Sequence, residues 1–203
     1  MNTSSFSEYF DRLSQTLVKL DIKQLEIVVD KLMKCRENGN YIYIFGNGGS
    51  AANASHIAGD FLKGISYNLE KRFKIICLND NLAGTTAITN DLSYDEVFIE
   101  QLKTFAGKGD LIIGISGSGN SENVVRALEY AREKGIQSVA VCGYKGGKII
   151  DIADTAIHVP VNDMEITEDI HTIVFHAIKQ EIIYRLKGAD YSMGNEYDKR
   201  VDQ

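Results

Sequence analysis

The feature that most constrains the fold of this chain is a series of five short apolar runs, separated mostly by helix-like stretches. The runs are Tyr41–Phe45, Phe73–Leu78, Leu111–Ile115, Ser138–Cys142 and Thr155–Val159. Apolar runs of this length are typical of strands buried on both faces, and strands joined through helices pair in parallel. The pattern therefore predicts an α/β fold, a three-layer sandwich with helices on both faces of a parallel sheet.

Two helices are predicted ahead of the first strand. Apolar residues recur every three to four positions from Phe6 to Leu20, and Asp21 with Gln24 forms a capping pair that opens a second helix through Met33. This periodicity is lost from about residue 188 onward. We therefore expect one domain over residues 1–187, with a helical pair over about residues 1–37, and a tail over 188–203 that is loose or docked on a partner.

Composition excludes several classes of protein. With 203 residues and 44% hydrophobic residues, the chain is long enough for one sizeable core. The net charge of -6 disfavours a nucleic-acid partner, and the lack of a long apolar run leads us to expect neither a signal peptide nor a membrane-spanning segment. Cys35, Cys77 and Cys142 are widely spaced, which predicts buried thiols and no disulfide framework. We expect a cytoplasmic protein with a small-molecule partner and no membrane partner.

Two glycine-rich turns follow predicted strands. One is "GNGGSAANASH" after Tyr41–Phe45, and the other is "GISGSGNSENV" around the end of Leu111–Ile115. Glycine lets a phosphate approach the backbone, and the following helix supplies unpaired N–H groups. Neither turn is a Walker loop or a dinucleotide fingerprint. An exposed, capped turn would have the same composition, so the hypothesis of a phosphate site depends on the presence of two such turns at strand ends.

Side chains suited to catalysis or metal binding follow the first turn. His56 and Asp60 are four residues apart on one predicted helix face, the arrangement used for two ligands of one metal. On the last predicted helix, Glu168 and His176 are separated by about 12 Å of rise and about 80° of rotation. Spacing alone therefore favours His171 over that pair as a further ligand.

Four segments together resemble a known family. "GNGGSAANASH", "ITNDLSYDEVF", "GDLIIGISGSGNSENVVRALEYAREKG" and "EDIHTIVFHAI" are similar to the sugar isomerase (SIS) domains, and among them to the phosphoheptose isomerases. The resemblance extends to about Leu186. It implies a five-stranded parallel sheet and a homotetramer whose neighbouring subunits build the active sites. It also implies interconversion of sedoheptulose 7-phosphate and D-glycero-D-manno-heptose 7-phosphate, for heptose of surface glycans such as lipopolysaccharide or capsule.

The resemblance also implies roles for individual residues. The implied substrate-binding residues are Asn47, Gly48, Gly49, Ser50, Asn90, Asp91, Ser116, Gly117, Ser118, Ser121 and Glu168. The four serines would hold the phosphate. The implied ligands of a Zn²⁺ cofactor are His56, Asp60, Glu168 and His176. Asp60 would be the catalytic base and His176 its acid/base partner.

Two departures from the family pattern leave alternatives open. Relatives carry glutamate in place of Asp60 and glutamine in place of Glu168, so another sugar phosphate could be the substrate. A non-catalytic SIS adaptor that binds the replication initiator protein is a second alternative, although the presence of His56 and His176 disfavours it. A ligand-sensing module of a transcription regulator ranks last, because we expect no helix-turn-helix arm ahead of Tyr41.

Overall fold

The structure is a computed structural model that describes residues 5–188, Tyr191 and Gly194. Five strands form one parallel sheet in the order β2-β1-β3-β4-β5. The strands are β1 (Tyr41–Gly46), β2 (Lys74–Cys77), β3 (Leu111–Ser116), β4 (Gln137–Cys142) and β5 (Thr155–His158). Each apolar run thus forms a strand whose bounds lie within one residue of the prediction, and the predicted parallel sheet is confirmed.

Helices precede the sheet and connect its strands. They are α1 (Ser5–Leu17), α2 (Ile22–Asn38), α3 (Gly49–Gly59), α4 (Leu82–Asp91), α5 (Ile99–Phe105), α6 (Glu122–Lys134), α7 (Ile149–Ile152) and α8 (Met164–Lys187). Short 3₁₀ turns cover Leu78–Asp80 and Tyr94–Glu96. As predicted, Asp21 caps α2: its side chain accepts a hydrogen bond from the Lys23 N–H at 3.0 Å.

Alternation along the strands builds two cores, one on each face of the sheet. In β1, Ile42 and Ile44 point into a core formed with α2, α3 and α8. Tyr43 and Phe45 point the other way, into a core formed with α5 and α6. Because successive side chains of a strand face opposite sides, one apolar run supplies both cores. The result is the predicted three-layer sandwich.

The strand order places a crevice where both glycine-rich turns begin. From β1 the chain crosses to β2 on one side and then to β3 on the other, so the crossover direction reverses between β1 and β3. Gly46 at the end of β1 pairs with Ile115 near the end of β3. In such sheets ligands bind at the carboxyl ends of the strands beside this reversal. The fold therefore brings the two turns together at the expected position.

Two further expectations concern the thiols and the tail. Cys35, Cys77 and Cys142 are buried free thiols, as predicted, and burial raises the pKa of each, to about 12, 11 and 12. The predicted tail over 188–203 lies outside the described residues except for Gly188, Tyr191 and Gly194. Within the described part of the chain, no helix is long and apolar enough to cross a bilayer.

Candidate active site

The candidate site lies along two helices, α3 and α8, which pack side by side in the same direction. The amide of Asn53 donates to the backbone carbonyl of Glu168 at 3.0 Å, and the hydroxyl of Thr172 donates to Oδ1 of Asn53 at 2.8 Å. One turn further along, His56 meets His176. We call this row of contacts the α3–α8 seam. It starts at the first glycine-rich turn and leads away from the sheet edge.

Two histidines and an aspartate converge at the far end of the seam. Nε2 of His56 lies 2.9 Å from Nε2 of His176, and Oδ2 of Asp60 lies 3.7 and 3.5 Å from these two nitrogens. Both imidazole side chains are about half exposed, whereas the Asp60 side chain is 21% exposed. We call His56, Asp60 and His176 the imidazole–carboxylate cluster.

The cluster has the donor set and spacing of a metal site. Its three ligand atoms all lie within 4.8 Å of one another. Ligands held 2.0–2.1 Å from a tetrahedral zinc are about 3.3 Å apart, close to the separations within this cluster. Two imidazoles and one carboxylate also suit zinc chemically, so the residues present fit the ion. Glu168, the fourth predicted ligand, is outside this group.

Asp60 has a cationic neighbour on its other side. Nζ of Lys179 lies 2.7 Å from Oδ1 of Asp60, and both side chains are mostly buried. Asp60 begins a π-helical turn, Asp60–Ile65, that continues α3. Such wider turns often occur at functional sites. Lys179 was not predicted, although it lies one turn after His176 on the same helical face, and that spacing was the available signal.

Glu168 lies at the near end of the seam, against the start of α3. Its carboxylate packs so closely on Gly49 that a side chain at Gly49 would overlap it. Burial, with added repulsion from Glu165 and Asp169, raises the pKa of Glu168. Two turns of helix separate it from His176. The structure therefore places the two predicted carboxylate ligands, Asp60 and Glu168, at opposite ends of the seam.

Between the two glycine-rich turns, amide side chains form a polar network. Asn47 and Asn123 exchange two hydrogen bonds of 2.9 and 3.0 Å through their side chains. The hydroxyl of Tyr94 also donates to Oδ1 of Asn47 at 2.8 Å. Gly48 caps α3 with a positive φ of 54°, a conformation that favours glycine. Asn123 and Tyr94 were not predicted, because their contacts with Asn47 depend on the tertiary fold.

The second glycine-rich turn is lined with hydroxyl groups. The Oγ atoms of Ser116 and Ser121 are 3.1 Å apart, and Oγ of Ser118 accepts a hydrogen bond from the backbone N–H of Asn120. Ser121 is the N-cap residue of α6, which begins at Glu122. Ser50, in the first turn of α3, is buried. The predicted serines therefore lie in the two turns that meet at the sheet edge.

Asn90 and Asp91 lie elsewhere, at the end of α4. Their side chains are exposed and hydrogen-bond to each other at 2.8 Å. No residue of α4 is buried in this single chain. Within the described residues, no hydrogen bond links Asn90 or Asp91 to either glycine-rich turn. The structure thus does not bring these two predicted substrate contacts to the seam.

Comparisons with known proteins agree with this architecture. A family model described as the SIS domain matches residues 5–143. The phosphoheptose isomerase of Aliarcobacter butzleri is 43% identical over 161 residues, which cover 79% of this chain and 82% of that protein. The phosphoheptose isomerase of Thermodesulfovibrio yellowstonii is 36% identical over 185 residues, covering 88% and 90% of the two chains.

A solved structure gives the same result in three dimensions. The phosphoheptose isomerase of Neisseria gonorrhoeae superposes with a TM-score of 0.80 at 30% identity, covering 87% of this chain and 94% of that one. The likeness includes the five-stranded sheet and its flanking helices. The chain therefore belongs to the SIS domain family and, within it, to the phosphoheptose isomerases.

Proposed function

We propose that this protein is an aldose–ketose isomerase that converts sedoheptulose 7-phosphate to D-glycero-D-manno-heptose 7-phosphate for heptose biosynthesis. The observation that carries the proposal is the imidazole–carboxylate cluster, which lies on the seam leading from the two glycine-rich turns, in a chain of this family. One part of the site suits an anion and the other suits proton transfer. A phosphorylated sugar requires both.

The length of the seam supports a substrate of this size. Gly49 and His56 are seven residues apart on α3, which corresponds to about 10 Å of helix rise. An extended chain advances about 1.2 Å per bond, so the eight bonds from the first carbon of the sugar to phosphorus span about 10 Å. Measured from the first turn, a seven-carbon sugar is therefore long enough to extend to the cluster, and a phosphate held in the adjoining second turn would lie at its far end.

We assign the phosphate to the second turn, because hydroxyl and amide donors gather there and the acidic residue that follows, Glu122, pairs with Arg126 and Lys148. The glycines let the phosphate approach the backbone, and the start of α6 adds partial positive charge. Ser116, Ser118 and Ser121 would donate to its oxygens, with Ser50 from the adjacent turn. Binding energy gained at the phosphate then positions the reacting carbons at the other end of the substrate.

The cluster supplies the groups for proton transfer. In the direction from ketose to aldose, Asp60 takes a proton from the first carbon, and the electrons of that C–H bond form the double bond of an enediol, while the second carbon's carbonyl oxygen takes a proton from His176. The proton held by Asp60 then returns to the second carbon, and the hydroxyl of the first carbon gives its proton back to His176 as it becomes the aldehyde carbonyl. Because Oδ2 of Asp60 and Nε2 of His176 lie 3.5 Å apart, one substrate can contact both groups.

The proposed cofactor is Zn²⁺, held by His56, Asp60 and His176. When bound, it would polarise the carbonyl and hydroxyl oxygens of the sugar. Glu168, implied as a fourth ligand by the family resemblance, packs on Gly49 and is better placed to contact the sugar. Its carboxylate would accept hydrogen bonds from sugar hydroxyls near the first turn, as would the side chain of Asn47.

We further propose that the working form is a homotetramer in the cytoplasm. Phe6 and Phe10 on α1 are exposed at 75% and 62%, and α4 has no buried residue. The half-exposed imidazoles would also be covered by a neighbouring subunit, which could bring Asn90 and Asp91 of its α4 to the sugar. Light scattering after size-exclusion chromatography tests this assembly, and a monomer at micromolar concentration would contradict it.

The decisive experiment is a direct assay. Purified protein supplied with zinc and sedoheptulose 7-phosphate should give the anomeric proton signals of an aldoheptose 7-phosphate in NMR spectra, with no nucleotide added. Absence of turnover with zinc, manganese and magnesium each supplied would refute the heptose substrate.

The phosphate contact is tested by Ser118→Ala. This variant should raise KM about tenfold or more, because it removes a hydrogen bond to a charged group.

A further inference from the structure

Lys179 contacts the Asp60 carboxylate from the side opposite the histidines. Its Nζ lies 2.7 Å from Oδ1, whereas the two imidazoles approach Oδ2 at 3.5 and 3.7 Å. The two oxygens of one carboxylate are therefore divided between an ammonium group and an imidazole pair. This division leaves a single oxygen facing the place where a cation or a sugar would bind.

The local backbone makes room for this ammonium group. A Cβ atom at Gly64, in the π-helical turn, would lie 3.1 Å from both Cε and Nζ of Lys179 and 3.6 Å from Oδ1 of Asp60. The Lys179 side chain is only 16% exposed. A mostly buried lysine is normally paired, and here its described partner is Asp60. The pair is thus enclosed between α8 and the turn that continues α3.

We propose that Lys179 is a positioning residue that holds one oxygen of Asp60 away from the histidines and limits how tightly the cluster binds a divalent cation. The inference rests on the proposed function in taking Asp60 as both ligand and base. An ammonium group one carboxylate away repels a bound cation. At the same time, its hydrogen bond keeps Oδ2 directed at the substrate. Lys179 would therefore weaken metal binding while it supports turnover.

These opposite effects make the proposal testable with metal-free protein. Zinc affinity is measured by competition with a chromophoric chelator, without any sugar, for the wild type, Lys179→Met and Lys179→Arg. Lys103→Met is the matched control, since Lys103 pairs with Glu100 on α5, across the sheet. We expect zinc to bind about tenfold or more tightly to Lys179→Met. Lys179→Arg and Lys103→Met should stay within about threefold of the wild type.

Turnover is measured on the same proteins. Lys179→Met should lower kcat about 10- to 100-fold with little change in KM, because the base is no longer held in place. Lys179→Arg should recover most of this loss. General structural damage would instead weaken zinc binding and lower the unfolding temperature. A gain in zinc affinity together with a loss of kcat is therefore the specific signature.

A folded Lys179→Met protein that binds zinc no more tightly than the wild type overturns the proposal. Zinc binding by Lys179→Met alone, with none by the wild type, would support it, because the ammonium group would then exclude the cation. Zinc binding by neither protein would overturn it. A wild-type protein that binds zinc but does not turn over sedoheptulose 7-phosphate would refute the proposed substrate, and the zinc comparison would still decide the role of Lys179.

Discussion

Asp60 and Glu168 are carboxylates at opposite ends of one seam, and their surroundings differ. Asp60 lies between the Lys179 ammonium group and two imidazoles. Glu168 packs on Gly49 at the start of α3, where burial and nearby acids raise its pKa. The two carboxylates therefore differ in the interactions that they can make with a substrate or a metal ion. The imidazoles beside Asp60 can share a metal ion or a substrate with it, whereas Glu168, against a helix start, is suited to accept hydrogen bonds.

The largest difference between substitutions at Asp60 and at Glu168 is expected in the turnover rate, kcat. Asp60→Asn should lower kcat by about 10³-fold, because the amide neither accepts the proton nor binds a cation well. Asp60→Glu should be tolerated better, since it keeps the charge. Glu168→Gln should stay within about tenfold of the wild type. Steady-state rates by NMR or a coupled assay check this order, and equal losses at the two positions would remove the distinction drawn between them.

The next largest difference between Asp60 and Glu168, the two ends of the seam, should appear when metal is removed. Zinc at 100 times its Kd should raise the unfolding temperature of metal-free protein by about 5–10 °C. Chelator should reverse this gain and abolish activity. His176→Gln should remove the response, while Glu168→Gln should keep it. His158→Gln is the control, because His158 lies in β5, where its ring contacts the backbone carbonyl of Tyr144 and not the cluster. If the rise in unfolding temperature with zinc is lost in Glu168→Gln, the zinc site includes the near end of the seam.

His171, one turn after Glu168, shows the effect of burial on an imidazole. It is fully buried, and among the described residues no hydrogen bond of good geometry reaches either ring nitrogen. Burial lowers its pKa from 6.5 to about 4, and the backbone of Cys142 acts in the opposite direction. Only the unfolded chain then takes up the proton between these pH values, so stability falls as the pH drops below 6.5. At pH 5 the cost is about 2 kcal/mol.

Urea unfolding at pH 7 and pH 5 measures this cost. We expect His171→Leu to lose most of the difference between the two conditions, because leucine has no proton to bind. His158→Gln again serves as the control, since His158 is only partly buried. If His171→Leu and the wild type lose the same stability at pH 5, another group is responsible.

The smallest effect is expected from Glu168 itself. Because its folded-state pKa is raised, the free energy of unfolding should fall as the pH rises through that value. Glu168→Gln should therefore be slightly more stable than the wild type at pH 7, with the gap closing toward pH 4. Glu133→Gln, at an exposed position of α6, should show no such gap. Thermal unfolding across this pH range tests the sign, and a destabilised Glu168→Gln at pH 7 would contradict it.

Local patterns were sufficient to predict much of the architecture. Each strand lies within one residue of its predicted bounds, because short runs rich in β-branched and other apolar residues, bounded by turns, favour strands. The pairing of His56 with Asp60 also follows from sequence, since residues four apart share one face of a helix. The position of the glycine-rich turns at the carboxyl ends of β1 and β3 also follows from sequence, because each turn comes directly after its strand in the chain.

Contacts between distant residues required the tertiary structure. His56 and His176 are 120 positions apart in the sequence, and Asp60 and Lys179 are 119 apart. Only the packing of α3 beside α8 brings each pair together. The separation of Glu168 from His176, by contrast, follows from the helix rise between them on α8. Helix periodicity gives the face on which a side chain lies but not the neighbour it meets. The sequence by itself therefore determined the sheet, the turns and the local ligand pair, and the packing of α8 on α3 decided which groups complete the site.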